Sequence, residues 1–169
     1  KRVYYSGYIP VSEDNRLPVI HKPPLIGENR LYQADWLLRF YKFKLDEIVS
    51  DAFPDLDPDL DPKVSYALRH PHVFPIDINR ADKQMLARIP GVGMKSVFKI
   101  LQARKFRNLD WSHLKAIGIA MNRAPYFIIC NSKDFYKKEL SSFDLKTKIL
   151  KNSKSKYDKF FNTQLSLFS

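Results

Sequence analysis

The apolar and polar positions along the chain change period several times, and each change predicts an element. Lys1 to Val11 carries Val3-Tyr4-Tyr5 and Tyr8-Ile9, is closed by Pro10, and predicts a short strand. Ser12 to Asn29 holds Pro18, Pro23, Pro24 and Gly27 and predicts a loop. From Arg30 to Tyr41, the spacing of Leu31, Ala34, Leu37, Leu38 and Tyr41 predicts a helix, and a second is expected at about 44–52. Asp61 as N-cap with Pro62 in the first turn starts a helix that runs to about Arg69 and stops before Pro71. Asn79-Arg80-Ala81-Asp82 resembles a capping box ahead of a short helix with Met85, Leu86 and Ile89 on its apolar face. Pro90 ends that helix, and another restarts at Met94 with Val97, Ile100 and Leu101 inward. Asp110 can cap a helix bearing Trp111, Leu114 and Ile117. After Gly118-Ile119-Ala120, residues Arg123, Ala124 and Tyr126 are expected to continue into a further helix. Beyond Cys130 the chain turns polar and lysine-rich, and 151–163 reads as a flexible linker.

Between the helices at Met85 and Met94 lies Ile89-Pro90-Gly91-Val92-Gly93. Glycine takes positive φ without penalty, so the chain can reverse tightly there. The turn opens onto a helix N-terminus, where unpaired N–H groups and the helix dipole favour an anion. Bare glycines let a phosphate approach, and Lys95 and Ser96 in the first turn can add an ammonium and a hydroxyl. Lys99 and Arg104 are expected to extend the basic surface.

Composition sharpens the class of ligand. Lys and Arg number 29 against 18 Asp and Glu, a formal net charge of +11, which suits a polyanion. Hydrophobic residues make up 44% of the chain, enough for a core, and no apolar run reaches membrane-span length. No signal peptide opens the chain, so the expectation is a cytoplasmic, nucleoid-associated protein. The first residue is Lys rather than Met, which predicts a fragment of a longer protein. Cys130 is the single cysteine; it can form no internal disulfide and alone can hold neither zinc nor an iron–sulfur cluster. The carboxylates of Asp55, Asp57, Asp59 and Asp61 lack the glycine and terminal Glu of a calcium loop, and each Asp beside Pro reads as a turn or cap. His70 and His72 flank Pro71 without a third ligand and read as turn residues.

Ile89-Pro90-Gly91-Val92-Gly93-Met94-Lys95-Ser96-Val97 resembles the helix-hairpin-helix family of DNA-binding motifs. Val97 and Met94 are mild departures from the usual pattern. Asp110 to Tyr126 looks like a second, weaker copy, in which Gly118 and Ile119 stand in the turn and Arg123 follows it. Such a pair resembles the tandem arrangement that grips both strands across a minor groove. The resemblance implies DNA-backbone contacts from Gly91, Val92, Gly93, Lys95, Ser96, Lys99, Gly118, Ile119 and Arg123. Asp110 loosely echoes the catalytic Asp of helix-hairpin-helix glycosylases, but the helix-cap reading fits it better, and no catalytic residue is assigned.

A wider resemblance rests on Val3-Tyr4-Tyr5-Ser6, Pro23-Pro24-Leu25, Arg30 to Tyr41, Asp61-Pro62-Lys63 and Pro75 to Arg80. With these the block from Tyr4 to Cys130 is similar to the C-terminal part of a bacterial family of radical SAM proteins of DNA modification or repair. The family's Cys-x-x-x-Cys-x-x-Cys motif is absent here. The resemblance therefore places a [4Fe–4S] cluster and S-adenosylmethionine in a domain upstream, and a uracil-DNA-glycosylase-like protein among its partners. At the other end, Gln164-Leu165-Ser166-Leu167-Phe168 looks like the pentapeptide with which bacterial polymerases and repair proteins bind the sliding clamp.

The expected fold is mainly α: a tandem helix-hairpin-helix domain with a short extended N-terminal segment and a flexible C-terminal tail. The divisions are a remnant of an upstream barrel (1–29), a helical connector (30–72), the hairpin domain (73–130), a basic linker (131–163) and the clamp peptide (164–169). The expected function is non-sequence-specific DNA binding within a radical SAM repair or modification protein. A free-standing DNA-binding adaptor and an RNA-binding module are the alternatives.

Overall fold

A computed structural model describes residues 3–6, 16, 25–130 and 144–151. The fold is mainly helical, and the chain forms two compact units, Lys1–Pro62 and Lys63–Ser169. No helix among the described residues is long and apolar enough to cross a membrane.

In the first unit, helix α1 spans Leu25–Phe40, starting five residues before the predicted Arg30. Pro23 and Pro24 precede this start rather than marking a loop that runs on to Asn29, and Glu28 in the first turn complements the helix dipole. Ala34 and Leu37 form its buried stripe, and Arg39 pairs with Asp35 one turn back at 2.8 Å. Arg30 ties the helix to the Asp-Pro stretch by donating from Nε and Nη2 to the Pro58 carbonyl at 3.3 and 3.0 Å. Residues 3–6 lie outside any strand. Instead the Tyr5 N–H donates to the Tyr32 hydroxyl (3.1 Å), and that hydroxyl donates to the Tyr5 carbonyl (3.3 Å). Helix α2 is only Leu45–Ile48, shorter than predicted. β-Branched Val49 leaves the helix in an extended conformation, and Ser50 and Phe53 close an antiparallel bridge. In the Asp-Pro stretch, Asp57 Oδ1 accepts from the N–H groups of Asp59 and Leu60 (2.8 and 3.1 Å), a local turn cap. Among the described residues no three His, Cys, Asp or Glu gather as metal ligands.

The second unit holds α3 from Lys63 onward (the helix is Pro62–Arg69), strand β1 (Ile76–Asp77), α4 (Lys83–Arg88), α5 (Met94–Ala103) and α6 (Trp111–Ile117). A 3-10 turn at Ala124–Tyr126 and strand β2 (Ile128–Ile129) follow. Its core is built from Val64, Ile78, Leu86, Ile89, Val97, Ile100, Leu114 and Phe127, each almost wholly buried. Each such side chain contributes roughly 1.5–3 kcal/mol of transfer free energy. The helix expected after Arg123 is absent. Pro125 allows one 3-10 turn, and the apolar run Phe127-Ile128-Ile129 then pairs in parallel with β1, Ile76 opposite Ile128 and Asp77 opposite Ile129. This pair joins the two ends of the segment that carries α4 to α6. A further helix covers 144–151 with Ile149 buried, so this part of the expected linker is structured; Leu145 and Ile149 supply its helical apolar spacing.

Two polar devices hold the second unit together. Asn79, expected to cap α4, instead clamps loops: its Nδ2 donates to the carbonyls of Leu109 (3.1 Å) and Cys130 (3.2 Å), and its Oδ1 accepts from the Leu109 N–H (2.8 Å). The cap of α4 falls to Asp82, whose Oδ1 accepts from Met85 N–H at 2.8 Å. Arg104, expected on the basic surface, turns inward and donates from Nη1 to the carbonyls of Ile78 and Ala81 (3.0 and 2.6 Å). It is spent on the same loop that Asn79 anchors.

Asp110 caps α6, its carboxylate accepting from the His113 N–H at 3.0 Å. Hydrogen bonds from the Ser112 hydroxyl and the His113 backbone hold this carboxyl down at about 2, against an ordinary 3.8. Because the folded value is the lower one, the stabilisation is present above the unfolded value and is lost as pH falls toward about 2. Thermal unfolding followed by circular dichroism from pH 5 to pH 2 checks this. The Tm of the parent should fall relative to Asp110→Asn, which caps without titrating; a constant difference would refute the assignment.

Candidate functional site

Ile89 to Gly93 joins α4 to α5 through a tight reversal. The Val92 N–H donates to the Ile89 carbonyl at 3.2 Å, with Pro90 and Gly91 between them. Pro followed by a glycine of positive φ suits a type II turn, and Gly91 has φ +82°. Gly93 is different. At φ −84° and ψ 163° it is the extended N-cap of α5, a conformation open to any residue. Its smallness therefore bears on access to the helix end and not on backbone strain.

The turn is braced from behind by Gly118–Arg123. The Ala120 N–H donates to the Gly91 carbonyl at 3.0 Å. The approach is so close that a Cβ on Gly91 would lie 3.1 Å from both the Cβ and the carbonyl oxygen of Ala120 and 3.3 Å from Ala124 N. Gly118, at φ +89°, is the left-handed C-cap of α6. Its N–H donates to Lys115 and Leu114 carbonyls, and the Ile119 N–H donates to Leu114 at 3.3 Å. The Gly118, Ile119 and Ala120 amides are thus engaged in ending α6 and in holding the first turn. In the second turn, expected to be the weaker copy, the N–H groups of Gly118 and Ile119 already have acceptors within the fold.

The first turn presents its donors differently. The Gly91 carbonyl is taken by Ala120, the Gly93 carbonyl by the Val97 N–H (2.9 Å), and the Val92 carbonyl by Lys63 Nζ (2.7 Å). Among the described residues the Gly93 N–H meets no acceptor, and the first-turn amides of α5 have none within the helix. Lys95 and Lys99 are exposed and four residues apart, on one face of α5. Lys99 Nζ lies 3.5 Å from the Ile117 carbonyl, so its ammonium sits where the C-terminal end of α6 comes alongside. Exposed Phe98 borders this face, with Lys83 Nζ 4.5 Å from its ring centroid.

Other expected contacts resolve into packing. Ser96 is buried beside Val97 on the inward face of α5, away from a ligand at the helix end. The side chains of Val92 and Ile119 belong to the core, so Val92 offers only its backbone. Arg123 is partly exposed on the bracing turn, where its N–H donates to Ala120 (3.0 Å). Gln164, Leu165, Ser166, Leu167 and Phe168 lie outside the described residues. In the sequence Lys63 stands out only within Asp61-Pro62-Lys63, with no part in the site; the fold brings it beneath Val92. The arrangement is a glycine-capped helix N-terminus whose Gly93 N–H has no acceptor among the described residues, with Lys95 and Lys99 exposed along the same helix. No protein-family model, curated protein or solved structure matches the chain.

Gly91→Ala should destabilise the protein by about 2 kcal/mol or more, from left-handed strain of roughly 1–2 kcal/mol plus the clash with Ala120. Urea unfolding measures it. A change below about 0.5 kcal/mol, the range of an ordinary surface substitution, would show that the two turns are not locked together.

Proposed function

We propose that this chain binds the sugar-phosphate backbone of duplex DNA, without strong sequence preference, through a helix-hairpin-helix turn at Ile89–Gly93. The observation that carries the reading is the N-terminus of α5. There the Gly93 N–H faces away from its own fold's acceptors, and Lys95 and Lys99 flank it on one exposed face. A phosphate seated there accepts from backbone N–H groups and meets the positive end of a ten-residue helix, with Lys95 in its first turn as a charge-assisted partner and Lys99 adding positive charge further along the helix. Base edges take no part, so the contact positions the protein without reading sequence. The net charge of +11 adds the long-range attraction. The second turn acts in this reading as the brace of the first and not as an equal contact, so one strand is gripped more firmly than the other.

The resemblance to radical SAM proteins sets this binding in DNA repair or modification. The present residues do not fit the cluster of that family: the chain has one cysteine, and Cys130 is buried with Sγ donating to the Leu109 carbonyl at 3.0 Å. The role proposed for this chain is delivery to DNA, and no chemical step is assigned to it.

Fluorescence anisotropy against labelled duplexes at graded salt tests the reading. The logarithm of affinity should fall linearly with the logarithm of salt, and unrelated duplexes should bind alike. Lys95→Ala should lower the slope by about one. Gly93→Val, whose backbone geometry valine tolerates, should keep the fold and weaken binding on every duplex. Parent-like binding by a folded Gly93→Val protein would remove the turn as the site, and equal or tighter binding to duplex RNA would favour the RNA-binding alternative.

The C-terminal pentapeptide Gln164–Phe168 is proposed as a tether to the bacterial sliding clamp, Leu167 and Phe168 serving as its apolar anchors. A peptide covering Phe161–Ser169 should bind purified clamp at micromolar concentration and lose binding when Leu167 and Phe168 become Ala. No signal at high clamp concentration would end the proposal.

A further inference from the structure

Lys63 lies in the first turn of α3, and its side chain is among the few charged ones buried in the described structure, with 8% of the residue exposed. Its ammonium reaches across to the turn between α4 and α5 and donates to the Val92 carbonyl at 2.7 Å, a short charge-assisted bond inside the protein. A buried ammonium is costly unless it is well bonded, and here it is directed at a main-chain carbonyl of the glycine turn, with a consequence for that peptide. The Val92–Gly93 bond is trans, because the single cis bond of the described chain is Phe74–Pro75. In a trans peptide the C=O and N–H point in opposite directions across one rigid plane. Fixing the Val92 carbonyl inward therefore fixes the Gly93 N–H outward. The preceding peptide is held at both ends, its Gly91 carbonyl by the Ala120 N–H and its Val92 N–H by the Ile89 carbonyl. The ammonium also withdraws electron density from the Val92 carbonyl, which strengthens the Gly93 N–H as a donor along the same peptide.

We infer that Lys63 is a positioning residue for the phosphate site: from inside the fold it orients and polarises the Val92–Gly93 peptide so that the Gly93 N–H meets an incoming phosphate oxygen. This rests on the DNA-backbone reading of the turn. It separates two kinds of lysine. Lys95 and Lys99 stand on the surface and displace counterions from DNA; Lys63 is beneath the surface and displaces none.

The two kinds differ in a measurable way. Lys63→Met keeps the length of the side chain and removes its charge and its donors. In the full chain it should weaken duplex DNA binding about tenfold, because one backbone donor to a charged acceptor is lost. The slope of log affinity against log salt should stay that of the parent, whereas Lys95→Ala lowers it by about one. In the free protein the Gly93 amide should shift in a proton–nitrogen NMR spectrum and exchange its hydrogen at a changed rate. Should Lys63→Met fail to fold by circular dichroism, Lys63→Gln carries the same test, since its amide is an uncharged donor. It should bind more weakly than the parent with an unchanged slope. Parent-like affinity in a folded Lys63 variant would overturn the inference while leaving the DNA reading intact. A slope reduced by about one would also overturn it, by making Lys63 a direct phosphate contact. A parent protein that does not bind DNA would instead bring down the reading on which the inference stands.

Discussion

The Ala120 N–H donates to the Gly91 carbonyl, and around that one contact the second unit is arranged. It requires a residue without Cβ at 91, since Ala120 and Ala124 occupy the space a side chain would need. It sets the end of α6 against the start of α5, because Gly118 must stop α6 with positive φ for Ala120 to arrive at the right place. The short β1–β2 pair and the Asn79 clamp then tie the ends of the same segment together. Neither two-residue strand could persist alone; each survives because Ile76, Ile78 and Ile128 are buried in the core the helices share.

That arrangement separates scaffold from surface within very few residues. Three successive carbonyls, Gly91, Val92 and Gly93, accept bonds from Ala120, Lys63 and Val97. With these three carbonyls engaged the peptide planes from Gly91 to Gly93 are fixed, and a donor preorganised in this way needs little rearrangement to receive an anion. The second turn has the opposite economy. The N–H groups of Gly118, Ile119 and Ala120 are engaged by Leu114, Lys115 and Gly91, so these residues give rigidity. Under the proposed function the two turns, alike in sequence, do different work.

Much of the second unit could be read from residue order. Pro90 and Gly91 place a break between two apolar repeats, Asp110 stands ahead of Trp111 as a cap, and Lys95 and Lys99 fall on a polar face; α4, α5 and α6 follow. The errors share one cause, which is that a local pattern does not say which partner a polar or apolar group will find. Asn79 has the makings of a cap until Leu109 and Cys130, far along the chain, take its amide. Arg104 resembles a surface cation until the carbonyls of Ile78 and Ala81 come within reach. Phe127 to Ile129 continues an apolar stretch that suits helix or strand, and the choice falls to the free edge of β1.

Residue identity by itself determined where this chain can reverse, where its helices can begin, and that it carries an excess of positive charge. Proline and glycine act through their own φ angles, an Asp cap acts within one turn, and net charge needs no fold. Only the tertiary structure decided which of the glycines is constrained by contact, that Ser96 faces the core, that the second turn braces the first, and that a lysine from α3 lies under Val92. Those outcomes depend on which groups approach within a hydrogen bond's length across tens of residues. Such distances are set by packing the core as a whole, and no short stretch of sequence contains them.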